Sequence, residues 1–392
     1  MQRSERILVV TQQLGPVRTG VGTYANHLVE GLRDHGYRVK VATFPGGCNT
    51  VPGVEYLRLP RLRWDPTPGN WYSVSHHFAR AIRPDMADLV HFADAREAFR
   101  YRGAIPAVGM VHDAYALDSP RTPWALRRHH PDWGRRGTYY AALRRVEPVA
   151  YRKLRFLMAN AEDTRLKVVR GYRLDPRRAK VVHLGIEQPE NVEAISLDGN
   201  PSVLFAGSNY FRKGLGLLLQ AMHRTLGNLP GLRLHVVGVD SNQRAANVLA
   251  KRLGVEDRIH FHGRVQRQEL LQMMAGADTL CMPSRTEGYG LVFLEAMAVG
   301  TPVIGGRVGG TRELIRHGEN GLLTSPEDPV ELATHLLKLH REPKLRKCLA
   351  REGMRTASLH SVQGMMQETL AVYQSLGMGR RPRVREAVLS AL

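Results

Sequence analysis

Short apolar runs separated by amphipathic stretches recur along most of the chain, and the recurrence predicts its fold. Residues 7–10 (ILVV) form a compact apolar run, as expected of a strand buried on both faces. Gly15, Gly20 and Gly22 punctuate the segment that follows, predicting a glycine loop. Tyr24, Leu28, Val29 and Leu32 then recur at helical spacing, and Gly36 suits a helix C-terminus. Residues 37–43 alternate around Val39 and Val41 as the next strand. Strand, helix, strand in this order predicts a parallel sheet covered by helices. Residues 44–75 are rich in proline and glycine with weak periodicity, and predict loops.

The pattern stops and restarts. Residues 187–201 (EQPENVEAISLDGNP) are polar and turn-rich, which predicts a linker. Ser202–Ala206 is the next strand, followed by a second glycine turn and a helix from about Leu215. Further strands are expected at 232–237 and Thr279–Met282. The fold class is therefore α/β: two Rossmann-like domains with parallel sheets facing a central cleft, the first over 1–186 and the second over 202–365. Ligands of open α/β sheets bind beyond the C-terminal ends of the strands, so the cleft is the expected site.

Composition narrows the classes. Of 392 residues 43% are hydrophobic, enough for a core in each half. No run of about 18 apolar residues predicts a membrane span. MQRSER leads directly into the short run 7–10 without the apolar stretch of a signal peptide, so a cytoplasmic location is expected. Cys48, Cys281 and Cys348 form no CxxC pair, which argues against a disulfide framework or a zinc site. The net charge of +20 favours acidic small molecules, anionic membrane or nucleic acid as partners.

Four segments carry candidate chemistry. In 283–310 (PSRTEGYGLVFLEAMAVGTPVIGGRVGG), Glu287 and Glu295 lie eight residues apart around the apolar stretch Leu291–Ala298, which predicts a helix. Eight helical residues span roughly 12 Å, so one carboxylate stands at the helix entrance and the other about two turns on. That separation suits a ligand with polar groups at both ends, and the helix entrance offers N–H groups to a phosphate. The spacing alone reads equally well as two solvated glutamates. In 205–221 (FAGSNYFRKGLGLLLQA), Arg212 and Lys213 sit between a glycine turn and a helix, where cations can hold a diphosphate or where a basic pair can simply be solvated. In 14–28 (LGPVRTGVGTYANHL), Gly20 and Gly22 permit close backbone approach. In 111–118 (VHDAYALD), His112 and Asp113 close a strand-like stretch, an arrangement that is more often structural than catalytic.

The segment 283–310 resembles the EX7E motif of the family 4 retaining glycosyltransferases, which adopt the GT-B fold. The resemblance extends through 261–284 and 309–323. It implies that the second domain holds a nucleotide-sugar donor, the first receives the acceptor, and a tail from about residue 366 to 392 crosses back to the first domain. Glu287 would hold hydroxyls of the donor sugar and Glu295 the ribose diol. The backbone at Gly290, Leu291 and Val292 would meet phosphates or sugar, and Arg264 and Val265 would lie by the base. Arg212 and Lys213 would clamp the diphosphate, His112 would contact distal sugar hydroxyls, and Gly20 and Gly22 would belong to the GGxG-type loop. Two positions depart from the pattern: Ser208 stands where many relatives have arginine, and Thr19 where the first glycine of the pair is usual. No Asp-x-Asp pair is present, so neither metal nor other cofactor is expected, the nucleotide sugar being a substrate.

The stretch 121–155 carries arginines 121, 127, 128, 135, 136, 144, 145, 152 and 155 with interleaved tryptophan and tyrosine. It reads as a solvated helix pair, as a face for anionic membrane or acceptor at the inner membrane surface, or as a nucleic-acid contact. Two other functions fit parts of the sequence: a sugar-nucleotide epimerase on the same fold, and a basic nucleic-acid-binding protein. The paired glutamates in the cleft argue against the second. The residues name neither the acceptor, the sugar nor the base.

Overall fold

The computed structural model describes residues 5–12, 14, 19–44, 51–60, 71–119 and 133–378, without the side chains of 71, 72 and 133–136. Its first unit runs β1 (Arg6–Val10), α1 (Gly20–Asp34), β2 (Arg38–Thr43), β3 (Glu55–Arg58), α2 (Trp71–Ala81), β4 (Leu89–Phe92), β5 (Ala107–Val111), α3 (Tyr115–Asp118), α4 (Trp133–Lys153), β6 (Phe156–Ala159), α5 (Glu162–Tyr172) and β7 (Ala179–Val181). The sheet order is β3-β2-β1-β4-β5-β6-β7, with parallel pairing throughout. Ile7 to Val10 are fully buried, as central parallel strands must be when helices cover both faces.

The second unit runs β8 (Ser202–Ala206), α6 (Tyr210–Lys213), α7 (Leu215–Thr225), β9 (Arg233–Val237), α8 (Gln243–Leu253), β10 (Ile259–Gly263), α9 (Arg267–Gly276), β11 (Thr279–Met282), α10 (Leu291–Ala298), β12 (Val303–Gly306), α11 (Thr311–Leu314), β13 (Leu322–Thr324), α12 (Pro329–Arg341) and α13 (Pro343–Leu359). Its sheet order is β10-β9-β8-β11-β12-β13, again parallel. In both sheets the winding reverses beside the first strand of the unit. That reversal opens a crevice at the C-terminal strand ends, and the two crevices face each other.

A last helix, α14 (Val362–Ser375), packs on α1 of the first unit. A buried polar knot fixes it there: His91 of β4 meets the Tyr24 hydroxyl through Nε2 at 3.0 Å and the Tyr373 hydroxyl through Nδ1 at 2.5 Å. Burial pulls the His91 pKa down to about 3, so the ring is neutral and can offer one donor and one acceptor. The segment entering α14 touches the one leaving β7. Ile186 pairs with Ser361 in a parallel bridge, and a Cβ on Gly185 would stand 2.2 Å from the Ser361 carbonyl oxygen.

Two sequence expectations are corrected. Residues 44–75 contain the edge strand β3 and the start of α2. Gly20 and Gly22 lie in the first turn of α1, whose cap is Thr19, its Oγ1 accepting from the Gly22 N–H at 3.1 Å. Thr19 fills a recognised N-cap preference there.

Candidate active site

Three loops at the C-terminal strand ends form the candidate site. From β5 come His112 and Asp113. His112 is buried, and its Nε2–H donates to the Ala93 carbonyl at 2.7 Å. Burial holds its pKa below the usual histidine range, leaving a neutral ring with Nδ1 as the acceptor. Asp113 accepts from the Tyr115 N–H at 3.2 Å and from Arg96 at 2.5 Å, and Arg96 is also held by Glu147 at 2.9 Å. A buried ionic cluster therefore sets the turn that carries His112.

From β8 comes the one-turn helix α6, capped by Asn209, whose Oδ1 accepts from the Arg212 N–H at 3.2 Å. Arg212 and Lys213, expected between a turn and a helix, are the last two residues of this short helix. Their side chains separate. Lys213 Nζ ion-pairs with Glu287 Oε2. Arg212 Nη1 lies 4.0 Å from the same oxygen but donates to the Thr286 carbonyl at 3.1 Å and to the Tyr115 hydroxyl at 2.9 Å.

From β11 comes the Glu287 turn. The Glu287 side chain is only 8% exposed and also accepts from Ser284 Oγ at 3.3 Å. Burial alone would raise its pKa; Lys213 and Arg212 outweigh burial and hold it below the usual carboxylate range. Gly288 lies against the other unit so closely that a Cβ would stand 2.0 Å from the His112 carbonyl oxygen. That carbonyl is fixed by Asn160 Nδ2 at 2.7 Å. Gly290 precedes α10, Leu291 and Val292 form its first turn, and Glu295 sits in its second. Gly20 of α1 approaches this helix too: its Cβ would contact Leu291 at 4.0 Å.

The chain superposes on sucrose-phosphate synthase from Thermosynechococcus elongatus with a TM-score of 0.81 at 20% identity, over 95% of this chain and 99% of that one. It also superposes on Anabaena HepE in complex with UDP-glucose, with a TM-score of 0.71 at 22% identity, over 95% and 100%. A family model described as glycosyl transferases group 1 matches residues 187–356, and one described as Glycosyltransferase Family 4 matches 18–188. The chain is a glycosyltransferase of the GT-B fold. A D-inositol 3-phosphate glycosyltransferase of a Nocardioides species is 32% identical over 257 residues, 59% of this chain and 55% of that protein. The likeness thus spans about half the relative's length.

In this glycosyltransferase the structure brings together His112, Arg212, Lys213, Glu287, Gly290, Leu291 and Gly20. Glu295 stands apart and meets Arg267 Nε at 3.5 Å, while Arg267 Nη1 reaches Glu187 at 2.6 Å. Arg264 is exposed on the loop between β10 and α9, and Val265 beside it is half-buried against the core. Sequence reasoning missed Tyr115 and Arg267 as members of the site. Tyr115 lies within the quoted VHDAYALD, so its proximity to His112 was the available signal. Among the described residues, no group of three or more His, Cys, Asp or Glu is placed to hold a metal ion.

The arginine-rich stretch is described from 133 onward, residues 121–132 lying outside the described part. Several of its cations turn inward. Arg144 donates to the carbonyls of Ala116 and Ser119, Arg152 to that of Tyr172, and Lys153 to that of Phe99. No described helix is long and apolar enough to cross a membrane.

Proposed function

We propose that this glycosyltransferase moves a hexosyl group from a UDP- or GDP-sugar to an acceptor hydroxyl, with retention and without a metal. The observation that carries the reading is the buried Glu287 carboxylate, flanked by Lys213 and Arg212 in the seam between the two crevices. The cations receive the diphosphate, Glu287 holds sugar hydroxyls, and the acceptor nitrogen of neutral His112 takes a distal hydroxyl. Backbone N–H groups at Gly290, Leu291 and Val292 face the phosphates or sugar, and Gly20 and Gly22 help close that side. Glu295 receives the ribose diol, and Arg264 and Val265 border the base.

In the reaction the bond from the anomeric carbon to the diphosphate oxygen breaks, and the bond to the acceptor oxygen forms on the same face. The acceptor proton passes to the departing diphosphate. Lys213 and Arg212 stabilise the charge that develops on it. No protein nucleophile is assigned. A UDP-sugar is the first donor to try because HepE is described with UDP-glucose. A phosphorylated polyol is a first acceptor to try, given the name of the Nocardioides relative. Residues 121–155 are proposed as a face for an anionic acceptor or an anionic membrane.

The test is a thermal-shift screen of UDP- and GDP-sugars, followed by acceptor trials with the best donor and analysis of the product's anomeric configuration. A glycoside with the donor's configuration is expected. An inverted product, or an epimerised nucleotide sugar formed without acceptor, overturns the reading.

A further inference from the structure

Tyr115 belongs to the first unit, yet its side chain works on the second. The Arg212 guanidinium lies over its ring, 4.9 Å from the centroid. Arg212 Nη1 donates to the phenolic oxygen at 2.9 Å. One side chain thus holds the cation at the end of α6 both by its ring face and by its hydroxyl. Its own position is firm. Asp113 accepts from its N–H, Arg96 anchors Asp113, and the ring packs against the small cluster of Ala116 with Tyr140 and Leu143 of α4.

Arg212 has less to hold it within its own unit. It sits at the end of a single helical turn, its side chain carries about 2 kcal/mol of rotamer entropy, and its contacts there are the Thr286 carbonyl and, at 4.0 Å, Glu287. The residue after Gly207 is the neutral Ser208. Lys213 and Arg212 are therefore the cations ion-paired with Glu287, and only Lys213 is placed without help from the other unit.

We propose that Tyr115 is a positioning residue that delivers Arg212 to the donor diphosphate only when the two units are closed. The proposal rests on the donor reading above. A donor on the open enzyme meets Lys213 alone. Closure brings Tyr115 across, fixes Arg212, and completes the stabilisation of the leaving diphosphate once the acceptor-bearing unit has arrived. Assembly of the charge clamp by closure ties catalytic power to the closed state and restrains loss of the sugar to water.

The test uses the full chain, with UDP and GDP as calorimetric probes and UDP-glucose and GDP-mannose as donors, sugar release to water being read alongside any transfer. The variants are Tyr115→Phe, Tyr115→Ala, Arg212→Ala and the Tyr115→Ala/Arg212→Ala double variant. Tyr115→Phe keeps the stacking and loses the hydroxyl acceptor, so kcat should fall roughly 2- to 10-fold. Tyr115→Ala also loses the cation–π contact, and kcat should fall roughly 30- to 100-fold. Affinity for the bare diphosphate should stay within about threefold in both, since the open form binds it without Arg212. In the Arg212→Ala background, Tyr115→Ala should cost almost nothing more, because the two act as one unit. Additive losses in the double variant, or a Tyr115→Phe as impaired as Tyr115→Ala with the fold intact, overturn the proposal and leave the donor reading standing. Failure of the wild-type chain to bind UDP or GDP overturns the donor reading and this proposal with it.

Discussion

Replacing Glu287 by glutamine should weaken the free protein and tighten its grip on a nucleoside diphosphate. Glu287 and Lys213 form a buried ion pair, with side chains 8% and 13% exposed. Burial pushes the Lys213 pKa below its ordinary range even with the carboxylate beside it. Removing one member of a buried pair costs about 3–5 kcal/mol, because the other charge is left uncompensated. Glutamine keeps the shape and one oxygen acceptor, so a loss at the lower end, about 3 kcal/mol, is expected without ligand. Bound diphosphate reverses the sign. In the wild type the incoming anion shares Lys213 with Glu287. Two like charges about 5 Å apart repel by roughly 3 kcal/mol at an effective dielectric of 20. After allowance for solvent screening about 1–2 kcal/mol remains, so UDP should bind Glu287→Gln roughly 5- to 30-fold more tightly than the wild type. Sugar transfer should fall by about 100-fold, because the sugar loses the group that orients it. Thermal unfolding with and without UDP, calorimetry with UDP, and initial rates read the three effects. Weaker UDP binding by Glu287→Gln would refute the reasoning, since it would mean that the carboxylate and the diphosphate do not compete for Lys213.

Transfer should persist in excess EDTA; activity abolished by EDTA and restored by Mn²⁺ would contradict a clamp built from Arg212 and Lys213. His91 is held neutral with its pKa lowered to about 3, so below the ordinary histidine range near 6.5 the unfolded chain binds the extra proton first. Its contribution is complete above about pH 6.5 and falls by about 1.4 kcal/mol per pH unit below it. His91→Gln, which keeps partners for Tyr24 and Tyr373, should therefore lose roughly 2 kcal/mol less than the wild type between pH 6.5 and 5 in urea unfolding of the first unit; equal losses would exclude this role. Sedimentation with phosphatidylglycerol vesicles should fall steeply with salt and be lost when Arg127, Arg128, Arg135 and Arg136 are changed to glutamate. Equal sedimentation of variant and wild type would remove residues 121–155 as the docking face.

What was legible in the sequence and what was not divide along a physical line. The runs at 7–10, Ala107–Val111, Ser202–Ala206 and Thr279–Met282 became strands β1, β5, β8 and β11, because strands buried on both faces leave an uninterrupted apolar trace. The edge strand β3 (EYLR) left none. Its residues are exposed or half-exposed, and proline-rich surroundings masked it. Glycines 20 and 22 suggested a loop, but the Thr19 cap starts α1 before them. Arg212 and Lys213 looked like a single basic pair, whereas their partners differ: one side chain meets Glu287 and the other crosses to Tyr115, 97 positions away. No spacing rule reaches that far, nor does one link Arg267 to Glu295. The inward turn of Arg144, Arg152 and Lys153 onto backbone carbonyls is equally silent in the sequence, which records charge but not its counterpart.

The touching crossovers at Ile186 and Ser361 have a mechanical consequence. One connecting chain would let the halves of the enzyme both swing and swivel. Two chains crossing side by side, with Gly185 pressed on Ser361, tie the halves together at two points of the chain rather than one, so that twisting one half against the other strains both crossings.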